Sequence, residues 1–135
     1  MAATYFGSSI NESPTVVFPA GEKLENARGI ALGLNGNKVM KPAAGAHVVG
    51  ISLIETDEIV ETGRDIDIQV KDIGKWVAGE EISIGTELAT DDDGKAVAAK
   101  AGDFIVGVAL SSAEKAGTWI KVQIIKAGYK PVANA

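Results

Sequence analysis

The sequence predicts an all-β fold, a small β-barrel or sandwich built from two pseudo-repeated halves, with an extended N-terminal arm. Three observations predict it. The chain carries nearly the same stretch twice, KVMKPAAGAHVVGISL at 38–53 and KAVAAKAGDFIVGVAL at 95–110. Short runs with period-two alternation recur between turn residues. Sixteen glycines stand against only seven aromatic residues, which describes tight turns around a core of small branched side chains.

The two copies lie 57 positions apart and are identical at Lys38/Lys95, Ala44/Ala101, Gly45/Gly102, Val49/Val106, Gly50/Gly107 and Leu53/Leu110. Upstream, AGEKL at 20–24 faces AGEEI at 78–82, and downstream DIDIQVKDIG at 65–74 faces WIKVQIIKAG at 119–128. A solenoid needs about three or more stacked repeats, so two copies point to one domain with equivalent halves, each supplying part of a barrel. The division expected is an arm over 1–14, a single β domain over 15–126 with repeats at about 20–75 and 78–129, and a tail over 127–135.

The arm, MAATYFGSSINESP, is polar and has no amphipathic period, so it is expected either to be a loose terminus or to order on a neighbour. In the second case Tyr5, Phe6 and Ile10 are the binding candidates, aromatic and aliphatic anchors in a polar segment. TVVF at 15–18 and GIALGL at 29–34 read as strands, and Asn35-Gly36 supplies the positive φ of a tight hairpin. HVVGISLIE at 47–55 reads as one long strand with both faces covered, and 55–61 as a solvated loop. In DIDIQVKDI at 65–73, Ile66, Ile68 and Val70 alternate with polar residues, which is a half-buried strand. EISIG at 81–85, ELAT at 87–90, FIVGVAL at 104–110 and WIKVQII at 119–125 repeat the pattern, while 111–117 has room for one helical turn. Gly45 and Gly102 belong to equivalent turns. Gly50 and Gly107 sit inside equivalent strands, where glycine marks a bend or a close backbone approach.

The chain has 135 residues and no cysteine, so it has neither a disulfide framework nor a thiolate site. Its formal charge of −5 and scattered Lys and Arg argue against a nucleic-acid groove. No apolar run reaches a membrane span, and the N-terminus lacks the pattern of a secretory signal. The segment Val39-Met40-Lys41 resembles the hairpin lysine of biotin carriers, yet Pro42 follows and the second copy has no lysine there. Counting from Asp91, the twelfth residue is Gly102, where a calcium loop of the EF type would need Glu. His47 is the only histidine and corresponds to Phe104, so a packing position fits it better than a ligand. No coherent set of nucleophile, acid and base is present, so no catalytic residue, metal site or cofactor is assigned, and the chain reads as a non-enzyme.

Residues 78–110 resemble the bacteriophage capsid decoration, or cement, proteins of the small β-barrel kind. The matching positions are Ala78, Gly79, Gly85, Leu88, Asp93, Gly94, Lys95, Gly102, Asp103, Ile105, Gly107, Val108, Ala109 and Leu110, followed by the strand at 119–124. Counting the first copy, the resemblance spans 15–126; the loop 55–64 and the tail depart from the pattern. It implies a virion protein made in the host cytoplasm that binds the major capsid protein on the outside of an expanded tailed-phage head, as a homotrimer or a dimer, with no nucleic-acid or membrane partner. The alternative is a non-catalytic binding module, either a lectin-like head domain or the capsid-attached base of a fibre.

Overall fold

The structure, a computed structural model, describes residues 13–132. Among these residues there are twelve strands and no helix. The first half holds β1 (Thr15–Pro19), β2 (Leu24–Glu25), β3 (Ala31–Asn35), β4 (Lys38–Met40), β5 (Gly50–Ser52), β6 (Ile59–Val60) and β7 (Asp65–Gln69). The second holds β8 (Asp72–Val77), β9 (Glu87–Thr90), β10 (Ala96–Ala98), β11 (Phe104–Ala109) and β12 (Trp119–Tyr129).

Each half forms its own antiparallel five-stranded sheet, in the order β1-β7-β5-β3-β4 and β8-β12-β11-β9-β10. The order is the same once β1, β3, β4, β5 and β7 are matched to β8, β9, β10, β11 and β12. Both sheets also close in the same way. Ala20, just past β1, makes a lone parallel bridge to Val39 of β4, and Ala78, just past β8, makes one to Ala96 of β10. The amide of Gly21 donates to Val39 O at 2.8 Å, and that of Gly79 to Ala96 O at 2.7 Å. The Glu22 carboxylate accepts from the Lys41 amide at 3.0 Å, and the Glu80 carboxylate from the Ala98 amide at 2.9 Å. The repeated Ala-Gly-Glu is thus a clamp that joins the two edge strands of a sheet into a barrel. Glycine lets the strands meet closely here: a Cβ at Gly21 would lie 3.0 Å from Met40 Cγ, and one at Gly79 would lie 2.6 Å from Asp91 Oδ2, so a larger residue would push these side chains aside.

The strand glycines follow the same logic. A Cβ on Gly50 would overlap Gln69 O, and one on Gly107 would overlap Gln123 O. These are the same glycine and the same glutamine in both copies, and they let neighbouring strands come close enough to curl a barrel of only five strands. Ile66 and Ile68 of β7, and Ile120, Val122 and Ile124 of β12, point inward as their alternation predicts.

Several elements differ from the sequence expectation. The run 47–55 holds a strand only over Gly50–Ser52, because the chain bends at 47–49, where Val48 turns into the core of the other half. The run 65–73 breaks after Gln69, and Asp72 takes a positive φ of 70°. Asp72–Val77 is a separate strand that opens the second half and pairs with β12; the polar Asp72 and Lys75 and the Gly74 between them hide it in the sequence. Residues 81–85 form a turn with one bridge, Ile82 to Ala113, instead of a strand, and 111–117 is turn and bend, not helix. Within 55–61, Ile59 and Val60 pair with Glu25 and Leu24. β12 runs on to Tyr129, and a bulge shifts its pairing with β11 between Ile105 and Gly107.

Replacing either strand glycine by alanine is expected to destabilise the protein by about 1–3 kcal/mol, since the methyl meets a backbone carbonyl that has no room to move. Urea unfolding of Gly50→Ala and Gly107→Ala checks this through a lower midpoint at unchanged slope. An unchanged midpoint in both would show that the strands have room for a side chain there.

Candidate functional site

The two barrels meet along a seam built mainly from main-chain groups. Gly94 O accepts from both the Ala31 amide and the Trp76 indole Nε1, each at 2.7 Å. Val77 donates to Gly29 O at 2.9 Å, Gly45 to Thr90 O at 2.9 Å, and Phe104 to Gly45 O at 3.0 Å. Trp76 is fully buried, so its indole N–H needs the partner that Gly94 supplies. Ala31, Val48 and Ile51 of the first half pack into the cluster around Trp76, Phe104 and Ile120 of the second. A further apolar cluster, around Leu24, Ile30, Leu32 and Ile66, fills the first half alone. The seam therefore makes the halves one body.

The polar residues singled out from the sequence serve this frame. Asp91 Oδ1 accepts from the amides of Asp93 and Lys95 at 2.9 and 2.8 Å, and Asp92 Oδ1 accepts from the Ala44 amide at 2.8 Å. The DDDG run is thus a turn that also bonds across the seam. In Val39-Met40-Lys41, Val39 is buried, Met40 lies over Gly21 and the Lys41 amide is held by Glu22. His47 is exposed, in a loop rather than a strand. Its ring packs on Phe104 with centroids 4.6 Å apart, and Phe104 packs edge-on against Tyr129 at 5.4 Å. Gly45 and Gly102 both take positive φ, 73° and 89°, but Gly45 faces the other half while the Gly102 amide donates to Lys130 O.

Tyr5, Phe6 and Ile10 lie outside the described residues. The segment just after them is placed: Pro14 O accepts from the Val70 amide at 2.8 Å, where the first half passes into the second. Several aliphatic side chains of these strands and loops are exposed. Val17 of β1 is exposed, and Ile54 and Ile73 line one cleft at the seam together with Gln69 and Lys75. A second exposed apolar group, Ile125, Tyr129 and Val132, follows the C-terminal strand. Sequence reasoning missed both groups as sites. The available signal was an apolar residue in the polar row of an alternating strand, as at Trp119 and Ile125.

Among the described residues, a lysine side chain crosses the seam. Lys126, in the β12 bulge with a positive φ of 43°, donates from Nζ to Val49 O at 2.7 Å. Burial pushes its ammonium below the usual lysine value.

Comparison with known proteins adds three findings. The family model for the phage cement protein matches residues 10–124. No curated protein matches the sequence. Among solved structures, the crystal structure of the N base of head fibre gp8.5 in bacteriophage phi29 is similar, with a TM-score of 0.64 and 18% identity over 86% of this chain and 97% of that one. At that identity the likeness speaks for the fold.

Because the folded state holds Lys126 at a lowered pKa, it binds fewer protons than the unfolded chain between that value and 10.5. Lys126 therefore weighs against stability at neutral pH, and this penalty fades as pH rises through that window. The expected result is that the unfolding midpoint of the native protein rises relative to that of Lys126→Met as pH approaches 10.5. A difference that stays constant across the window would contradict a desolvated ammonium.

Proposed function

The chain belongs to the phage cement protein family, and from that premise we propose that it braces an expanded tailed-phage head by binding the major capsid protein on the outer surface, with the N-terminal arm as its clasp. A cement protein is a structural, non-catalytic part of the virion on the capsid surface. The observation that carries the finer reading is the place of the arm's root. Pro14, at the arm's root, is held where the first half passes into the second, its carbonyl accepting from the Val70 amide. An arm that pairs its main chain with a coat-protein strand, with Tyr5, Phe6 and Ile10 in pockets, gains affinity from backbone bonds and register from side chains. Many copies on one shell add avidity, so each contact can be weak. A homotrimer suits the three-fold positions of such a shell, and the net negative charge suits an exterior part that avoids DNA.

The fold likeness to a head-fibre base supports a second reading, in which the body is a capsid-attached platform for a further binding element. Binding of the isolated protein to host cells would favour that reading.

Adding the purified protein to undecorated expanded heads is expected to raise the temperature at which they release DNA. Deleting residues 2–12, which keeps Pro14 and its bond to Val70, is expected to abolish binding while leaving the unfolding midpoint unchanged. Tyr5→Ala with Phe6→Ala is expected to weaken binding more than Asp91→Ala. Full occupancy by the deletion variant would overturn the clasp.

A further inference from the structure

The seam also forms a cleft of about 290 Å³ that the capsid reading does not use. Trp119, at the start of β12, stands on its wall and is 38% exposed. Its indole lies directly on the backbone of Gly29, where any Cβ would overlap the ring. Asn26, Arg28, Glu58 and Lys95 complete a polar rim. Arg28 is steadied by its Nε, which donates to Thr56 O at 2.6 Å, leaving its other N–H groups available. Among the described residues, the side chains of Asn26, Glu58 and Lys95 have no hydrogen-bond or ion-pair partner, although Glu58 and Lys95 face the same cleft.

The barrel does not call for this arrangement. In the aligned copies Asp65 stands where Trp119 does, and the first half closes without an aromatic ring there. Asn, Glu and Lys side chains around an exposed indole, with no partner among the described residues, offer both donors and acceptors to a molecule bound there. An anion would face Glu58, and a cation would face Arg28 and Lys95. A lipid chain would find only Val77 as an aliphatic wall. Hydroxyl groups satisfy donors and acceptors alike, and a pyranose ring presents C–H groups to an aromatic face. The volume lies near the lower end of the roughly 300–1,000 Å³ usual for small-molecule sites, which suits a single sugar unit.

We propose that the Trp119 cleft is a saccharide-binding site, with the sugar ring stacked on the indole and its hydroxyls held by Asn26, Arg28, Glu58 and Lys95. It is shallow and solvent-facing, so affinity for one sugar unit is weak, with Kd on the order of 1 mM. Multiple copies on a virion would raise the effective affinity for a glycan-bearing surface.

The test is an NMR titration of the full chain with glucose, galactose, N-acetylglucosamine and rhamnose in turn. The two indole N–H signals separate the site from the core, because Trp76 is buried and bonded to Gly94. At least one sugar is expected to shift the Trp119 signal in a saturable way while the Trp76 signal stays fixed. Trp119→Ala also uncovers Gly29, so the informative variant is Glu58→Ala with Lys95→Met. It keeps the ring and is expected to weaken binding about tenfold through lost hydrogen bonds. No shift at Trp119 with any of the four sugars, or an unchanged affinity in the double variant, overturns the proposal.

Discussion

A short five-stranded sheet has two edges, and each edge exposes unpaired amide and carbonyl groups that invite pairing with another chain. In both halves of this protein one alanine brings the two edges together. Ala20 meets Val39 and Ala78 meets Ala96, and in each case the next residue, a glycine, donates its amide across the join. The glutamate after it holds a second amide, at or just past the end of the far strand. Closure at this one point determines how tightly the rest of the sheet must curl. The curl in turn requires Gly50 and Gly107 to lie against the carbonyls of Gln69 and Gln123. Small residues at the clamp and at the bend are therefore conditions of the fold, and they account for a composition rich in glycine and poor in aromatics.

Two small closed barrels would each have a thin core. The seam removes that weakness by letting Ala31, Val48 and Ile51 serve the second half's core, and by using Gly94 O to satisfy both the buried Trp76 indole and the Ala31 amide. The result is a body whose parts are fixed relative to one another. For a protein that reinforces a shell, rigidity matters because little conformational freedom remains to be lost when it binds.

Much of this was legible in the sequence because the chain states its pattern twice. Ala-Gly-Glu, the lysine after the turn, the Ala-Gly turn, the strand glycine and the later glutamine recur in order, and Ala-Gly-Glu, the strand glycine and the glutamine do the same structural job in both halves. The copies also showed that the residues of Val39-Met40-Lys41 are framework, since the second copy builds the same clamp with Ala96 and Ala98. Strand limits were less legible. Apolar residues in 47–55 serve two cores, so hydrophobicity alone could not show the bend at 47–49. β8 was hidden because its polar residues and Gly74 interrupt the pattern, although Trp76 near its end is the largest fully buried side chain among the described residues. Sites formed across the seam, such as the Trp119 cleft, depend on residues far apart in sequence that no local pattern joins.

The account rests on each half being closed by its own clamp. Amide hydrogen exchange on Glu22→Ala and Glu80→Ala tests this directly, because local opening is read residue by residue. The expected result for Glu22→Ala is faster exchange at Gly21 and Lys41 with Gly79 and Ala98 still protected, and the reverse pattern for Glu80→Ala. Equal loss of protection at both joins in either variant, or no change at the clamp that was cut, would contradict it.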